Sequence, residues 1–202
     1  MDQILFPDRF YEPRKPGSAV GIDPGSTGGI VRLALNQSGL LFAERHVLPQ
    51  ADNQGSSQPH VPVLANMLRV WQSPVWCEDC YFANRKTNPT TLIHMAKNLG
   101  RIAAASQLVF CPLEFVAPQS WQSKIFTPGR SNKGATKAGS FGTLEDLGVD
   151  LDELIPPGCR VPHDGIADAH LIALFGLLAQ GCIIMKQADK MEAPKRVKQK
   201  VG

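Results

Sequence analysis

Four acidic residues stand where a folded chain has little use for charge. Asp23 ends the apolar run Ala19-Val-Gly-Ile-Asp, and Glu78 ends Val75-Trp-Cys-Glu. Asp164 and Asp168 open a nearly all-apolar stretch, His163-Asp-Gly-Ile-Ala-Asp-Ala-His-Leu-Ile-Ala. A carboxylate at the end of a core element is costly unless something cationic meets it. A divalent metal site answers all four at once. Magnesium favours carboxylate oxygens and retained water, which suits a set of acids with no dedicated cage. Two such ions ~3.5–4 Å apart activate a water and stabilise charge on a leaving oxygen, the two demands of phosphodiester hydrolysis. Asp164 and Asp168 lie one helical turn apart, hence on one face, near a helix N-terminus where the macrodipole favours negative charge.

Each acid also has a plainer reading. Asp23-Pro-Gly is turn chemistry, and Asp164 is an attractive helix cap. Glu78 also reads as a solvated strand end, with neighbouring Asp79 as a rival for its role. Asp168 has few structural uses in an apolar stripe. His163 and His170 have the chemistry to relay protons or touch phosphate, but surface or core positions suit them better. Cys77-Glu-Asp-Cys80 has zinc or redox spacing, yet no second ligand pair at zinc-site spacing follows.

The elements that must position these acids follow from pattern. Residues 1–17, with Pro7, Pro13 and Pro16, read as an arm. Ser18–Asp23, Ile30–Asn36 and Leu40–Leu48 form an antiparallel meander through Pro24–Gly29 and Gln37-Ser-Gly39. The Gln/Ser/Asn-rich residues 50–60 read as loop. Val61–Gln72 carries a helical stripe stopped by Pro74, and Val75–Glu78 is the fourth strand. Asn88 caps a strong helix whose first position is Pro89. Its Gly100, Ala103, Ala104 and Ala105 leave room for another backbone. Glu114–Ala117 is the fifth strand, Pro118–Phe126 a short helix, about Lys133–Leu147 another, and Ile166–Gly181 the last. From Lys186 a tail with six basic residues against Asp189 and Glu192 is expected to be disordered.

Composition narrows the class. A chain of 202 residues fits one domain with extra arms, here residues 18–185. Its 43% hydrophobic and 19% charged residues suit a soluble globular fold. A net charge of +3 does not announce a nucleic-acid partner, so DNA contact must come from local patches. Five cysteines with no secretory segment imply free thiols in a reducing compartment. No apolar run reaches membrane-spanning length, and Asp2, Asp8 and Glu12 argue against a transit peptide.

Three strands in hairpin order, then helix–strand–helix–strand–helix, is the layout of a ribonuclease H-like α/β domain: a five-stranded mixed sheet flanked by helices. Specific residues add to it. Gly21-Ile-Asp-Pro-Gly-Ser with Gly28 resembles the first-strand motif of RuvC-type Holliday-junction resolvases. Phe115-Val-Ala-Pro-Gln-Ser-Trp-Gln resembles their fifth strand, and Asp168-Ala-His-Leu-Ile-Ala the start of their last helix. The four-residue spacing of Asp164 and Asp168 looks closest to plant organellar resolvases. The resemblance spans about residues 18–182.

That resemblance implies a metal-dependent crossover junction endodeoxyribonuclease acting in DNA recombination and repair. Asp23 would bridge two Mg²⁺ ions (Mn²⁺ a substitute), Glu78 and Asp168 would complete the ligands, and Asp164 would assist. The partners implied are a four-way DNA junction and a second copy of the chain, without membrane or nucleotide cofactor. The helix Thr90–Ser106 is the expected dimer face. Arg85, Lys86, Lys124, Arg130, Lys133 and Lys137 are the expected phosphate contacts, because they fall in loops near the acids. Tyr81 and Phe82 invite comparison with the family's aromatic wedge; an exposed ring there stacks on unpaired bases for ~1–3 kcal/mol per base, with core packing the competing role. Trp121 reads as packing rather than contact. The location expected is a bacterial or phage-host cytoplasm, or an organelle for a processed protein. Three alternatives stand beside this reading. One is a related nuclease for flaps, branches or RNA–DNA hybrids, and another a catalytically silent branched-DNA binder. The third is the phosphate loop of actin-like ATPases, which Asp23-Pro-Gly-Ser-Thr-Gly resembles but whose second copy and longer chain are missing.

Overall fold

A strand with no polar face belongs in the middle of a sheet covered on both sides. Gly17–Ile22 (β3) has that character, and in the computed structural model it is central. The structure describes residues 2–4, 11–53, 56–79, 88–126 and 136–185. The other strands of the main sheet are Asp2–Ile4 (β1), Gly29–Leu35 (β4), Leu41–Val47 (β5), Val75–Glu78 (β8) and Leu113–Val116 (β9). Their order is β1-β5-β4-β3-β8-β9. β3, β4 and β5 form the antiparallel meander, whereas β8 and β9 run parallel to β3. The five expected strands are all present, and β1 adds a sixth at the edge.

Two helical layers cover the sheet. One face buries Val20, Ile22, Ile30, Val75 and Cys77 beneath Val61–Trp71 (α1) and Pro89–Leu108 (α2). The other buries Ala19, Val31, Leu33, Trp76 and Val116 beneath Asp164–Ala179 (α5). Pro118–Ile125 (α3) and Thr136–Asp146 (α4) also pack on α5. A helix apolar on all sides belongs inside a protein, and α5 is buried along nearly its whole length. It reaches the sheet at backbone distance because Gly21 has no side chain. A Cβ there would collide with Ala169 O and Ala173 N.

Two pairings depart from the sequence expectations. Residues Gln50–Asn53 (β6) and Ser56–Pro59 (β7) form a hairpin, not a loop. Their polar composition hides the pairing, since a hairpin needs backbone partners more than apolar side chains. Within the N-terminal arm, Tyr11–Pro13 (β2) pairs with Ile183–Met185 (β10), a strand the sequence did not suggest. A Cβ at Gly100 of α2 would meet nothing within 4 Å among the described residues. The Asn88 cap is as expected, its side chain accepting from Thr90 N at 2.9 Å.

Candidate active site

Strand alternation decides which acids can meet. Side chains two apart on a strand share a face. Trp76 lies on the α5 face and Cys77 on the opposite one, so Glu78 projects toward α5. On β3, Gly21 contacts α5 and Ile22 faces the other layer, which sends Asp23 toward α5 as well. Ile22 pairs with Cys77 in the parallel ladder, so Asp23 and Glu78 are the next positions on neighbouring strands. By the same alternation Asp79 leaves on the far side; its N–H donates to Val116 O at 2.8 Å, extending the β8–β9 ladder.

Asp168 approaches from α5. Glu78 is pushed up from 4.5 to about 8, first by burial and then by the negative charges of Asp23 and Asp168, against the opposing pull of an indole donor. The three acids therefore share one electrostatic site. Asp164 stands a turn earlier, and it is not among the charges that raise Glu78. Its Oδ1 accepts from Gly165 N at 3.0 Å. The helix cap is His163, whose Nδ1 accepts from Ile166 N at 3.2 Å. The competing reading of Asp164 as the cap therefore gives way, and Asp164 occupies the first helical position.

Local structure locks this geometry. Asp23 Oδ1 accepts from Gly25 N at 3.0 Å, closing the turn that follows β3. Asn98, buried on α2, donates to Pro24 O at 2.9 Å and fixes the same turn from the other layer. At the far end of the turn, Gly28 bridges Gly165 at the start of α5. A Cβ on Gly165 would collide with Thr27 O and stand 2.8 Å from Gly28 Cα. Two acids carry donors from other helices. Trp121 of α3 donates its indole N–H to Glu78 Oε2 at 3.1 Å, and Ser140 of α4 donates its hydroxyl to Asp168 Oδ1 at 2.5 Å.

Trp121 thus packs, fully buried and edge-on to Phe126, and also contacts an acid. From residue order alone, only its packing role was readable. Asn98 and Ser140 escaped notice; Asn98 had a signal, since it falls on the buried stripe with Ile102. His170 is fully buried on α5 with Nδ1 accepting from Arg45 Nε at 3.4 Å, and burial holds its pKa well below the ordinary value. Cys77 is buried, its thiol donating to Glu78 O at 3.6 Å; Cys80 lies outside the described residues. So do Tyr81, Phe82, Arg85, Lys86, Arg130 and Lys133. Lys124 lies in the last turn of α3 with its ammonium 5.5 Å from the Phe175 ring centre, and Lys137 lies in the first turn of α4.

Among the described residues, no three acidic, histidine or cysteine side chains stand close enough to hold a metal ion as placed. The donor chemistry fits one nonetheless. The set is all oxygen, and a carboxyl kept protonated to about pH 8 by burial and two like charges is relieved by a divalent cation.

No protein-family model matches the chain, and no curated protein matches its sequence. Solved structures do. Thermus thermophilus RuvC in complex with a Holliday junction substrate superimposes with a TM-score of 0.53 at 16% identity, over 84% of this chain and 99% of that one. Thermus thermophilus RuvC in a second structure gives 0.52 at 18%, with the same coverage. At such identities the likeness establishes the fold, the ribonuclease H-like fold expected from element order.

Proposed function

We propose that this chain is a metal-dependent endonuclease that resolves four-way DNA junctions. The observation that carries this reading is the meeting of Asp23, Glu78 and Asp168 from β3, β8 and α5 in one electrostatic site. Its fold is shared with a RuvC that was solved on a Holliday junction.

A bound pair of Mg²⁺ or Mn²⁺ ions supplies an activated water and charge for the leaving oxygen. The chain's part is to present oxygens that need not reorganise. The turn bond from Gly25 N–H orients Asp23, which would hold the ions with Glu78 and Asp168. The Trp121 and Ser140 donors orient Glu78 and Asp168. Asp164, on the same helix face as Asp168, assists from the rim. Lys124 and Lys137, with Arg85, Lys86, Arg130 and Lys133, are the proposed phosphate contacts, and Tyr81 and Phe82 the proposed stacking residues. The outward face of α2 exposes Leu92 and Ile93, a surface suited to a second copy. A two-fold dimer would set two such sites against the pseudo-symmetry of a four-way junction.

The test is cleavage of a synthetic four-way junction beside linear duplex, flap and RNA–DNA hybrid substrates in Mg²⁺. Paired nicks specific to the junction, lost with chelator and in Asp23→Asn, are expected. Equal cleavage of linear or hybrid substrates would replace the junction reading with a general nuclease. Binding without cleavage would make the chain a silent branched-DNA protein.

A further inference from the structure

Trp121 and Ser140 come from helices that carry none of the four acids, yet each donates to one acid of the cluster. Ser140 is buried on α4, and its hydroxyl meets Asp168 Oδ1 at 2.5 Å. Trp121 is buried on α3, and its indole nitrogen stands 3.1 Å from Glu78 Oε2. Neither contact is a local accident. The pairs are separated by 28 and 43 residues in sequence, and each ties a helix of the α5 layer to an acid.

We infer that Trp121 and Ser140 are positioning residues that preset Glu78 and Asp168 for a divalent cation. The inference rests on the reading of these acids as metal ligands. A carboxylate on a single bond has rotational freedom that a cation must remove on binding. A fixed donor on one oxygen removes it beforehand and aims the other oxygen. An indole N–H only donates, so Trp121 cannot compete with Glu78 for the cation. Trp121 is itself immobilised, in edge-on contact with Phe126 at 5.5 Å between ring centres. Ser140 is held on α4, which packs directly on α5. Groups that orient metal-binding side chains in this way typically govern about 10- to 100-fold in metal affinity.

The probes are MgCl₂ and MnCl₂, titrated calorimetrically into the full chain without DNA, in wild type, Ser140→Ala, Ser140→Thr and Trp121→Phe. Ser123→Ala serves as control, because Ser123 is exposed and its hydroxyl donates to Ser120 O within α3. Ser140→Ala removes one oxygen from a buried site, so its fold is expected to survive even if Trp121→Phe proves unstable. Expected is a roughly 10-fold weaker isotherm for Ser140→Ala and Trp121→Phe, with Ser140→Thr, which keeps the hydroxyl, recovering most of it. Junction cleavage by Ser140→Ala should need correspondingly more Mg²⁺ yet regain its maximal rate at saturation. A purely structural role would lower melting temperature or active fraction and leave the metal midpoint in place. Isotherms of both variants superimposing on wild type would overturn the inference while leaving junction cleavage intact. A wild type that binds the ions and shows the expected shifts, but cuts no junction, would overturn the functional reading alone. No ion binding by wild type would overturn both.

Discussion

Replacing Glu78 by glutamine should stabilise the metal-free protein at alkaline pH and abolish its stabilisation by magnesium. Burial and the charges of Asp23 and Asp168 raise the folded-state value of Glu78 from 4.5 to about 8. The folded state therefore holds this proton more tightly than the unfolded chain. Its contribution to stability is full below pH 4.5 and is lost as pH rises toward about 8. At 1.36 kcal/mol per pH unit the whole interval is worth at most about 5 kcal/mol. Partial solvation of Glu78 and an effective interior dielectric near 20 reduce this to about 2 kcal/mol. For a domain of this size that is a shift of roughly 4–8 °C in melting temperature. The assay is thermal unfolding in chelator at pH 5 and pH 8.5, repeated with Mg²⁺. Glu78→Gln should melt above wild type at pH 8.5 in chelator, with most of the difference gone at pH 5. Magnesium should raise wild type and leave the variant nearly unmoved. The reasoning fails if the variant melts at or below wild type at both pH values, or if magnesium raises the two equally.

Three further outcomes follow from the same geometry. Gly165→Ala drives a Cβ into the Thr27 carbonyl and the Gly28 backbone, so it should cost about 3 kcal/mol or more by denaturant unfolding and separate α5 from the Asp23 turn. Asp79→Asn should retain junction cleavage within a few-fold of wild type while Glu78→Gln loses it, read as initial nicking rates. His170 is neutral and fully buried with a lowered pKa. The unfolded chain therefore binds its proton first, and stability should fall as pH drops below 6.5, by up to about 1.4 kcal/mol per unit. His170→Gln keeps an acceptor for Arg45 and should flatten that slope in acid-unfolding curves.

Much of this arrangement was legible in residue order. The Asn88-Pro89 cap, the bounds of β8 and the burial of α5 along most of its length follow from local pattern, which acts over one or two turns. Residue order left Glu78 and Asp79 as rivals; that Glu78 shares the face of Trp76 toward α5 became visible only in the fold. What the sequence could not carry is contact between distant segments. Ser140 in Ala138-Gly-Ser140 looks like any small helical residue until α4 sets it against Asp168. The β2–β10 and β1–β5 pairs are three-residue ladders joining remote segments, too short for periodicity to register. His163 took the cap from Asp164 because its ring nitrogen reaches Ile166 N, although histidine is not a preferred capping residue.

Anomalous diffraction from crystals soaked in Mn²⁺ tests the central claim most directly. The account predicts an anomalous peak bounded by the carboxylates of Asp23, Glu78 and Asp168, absent in Asp23→Asn. Manganese bound elsewhere, with these three carboxylates bare at saturating metal, would contradict it.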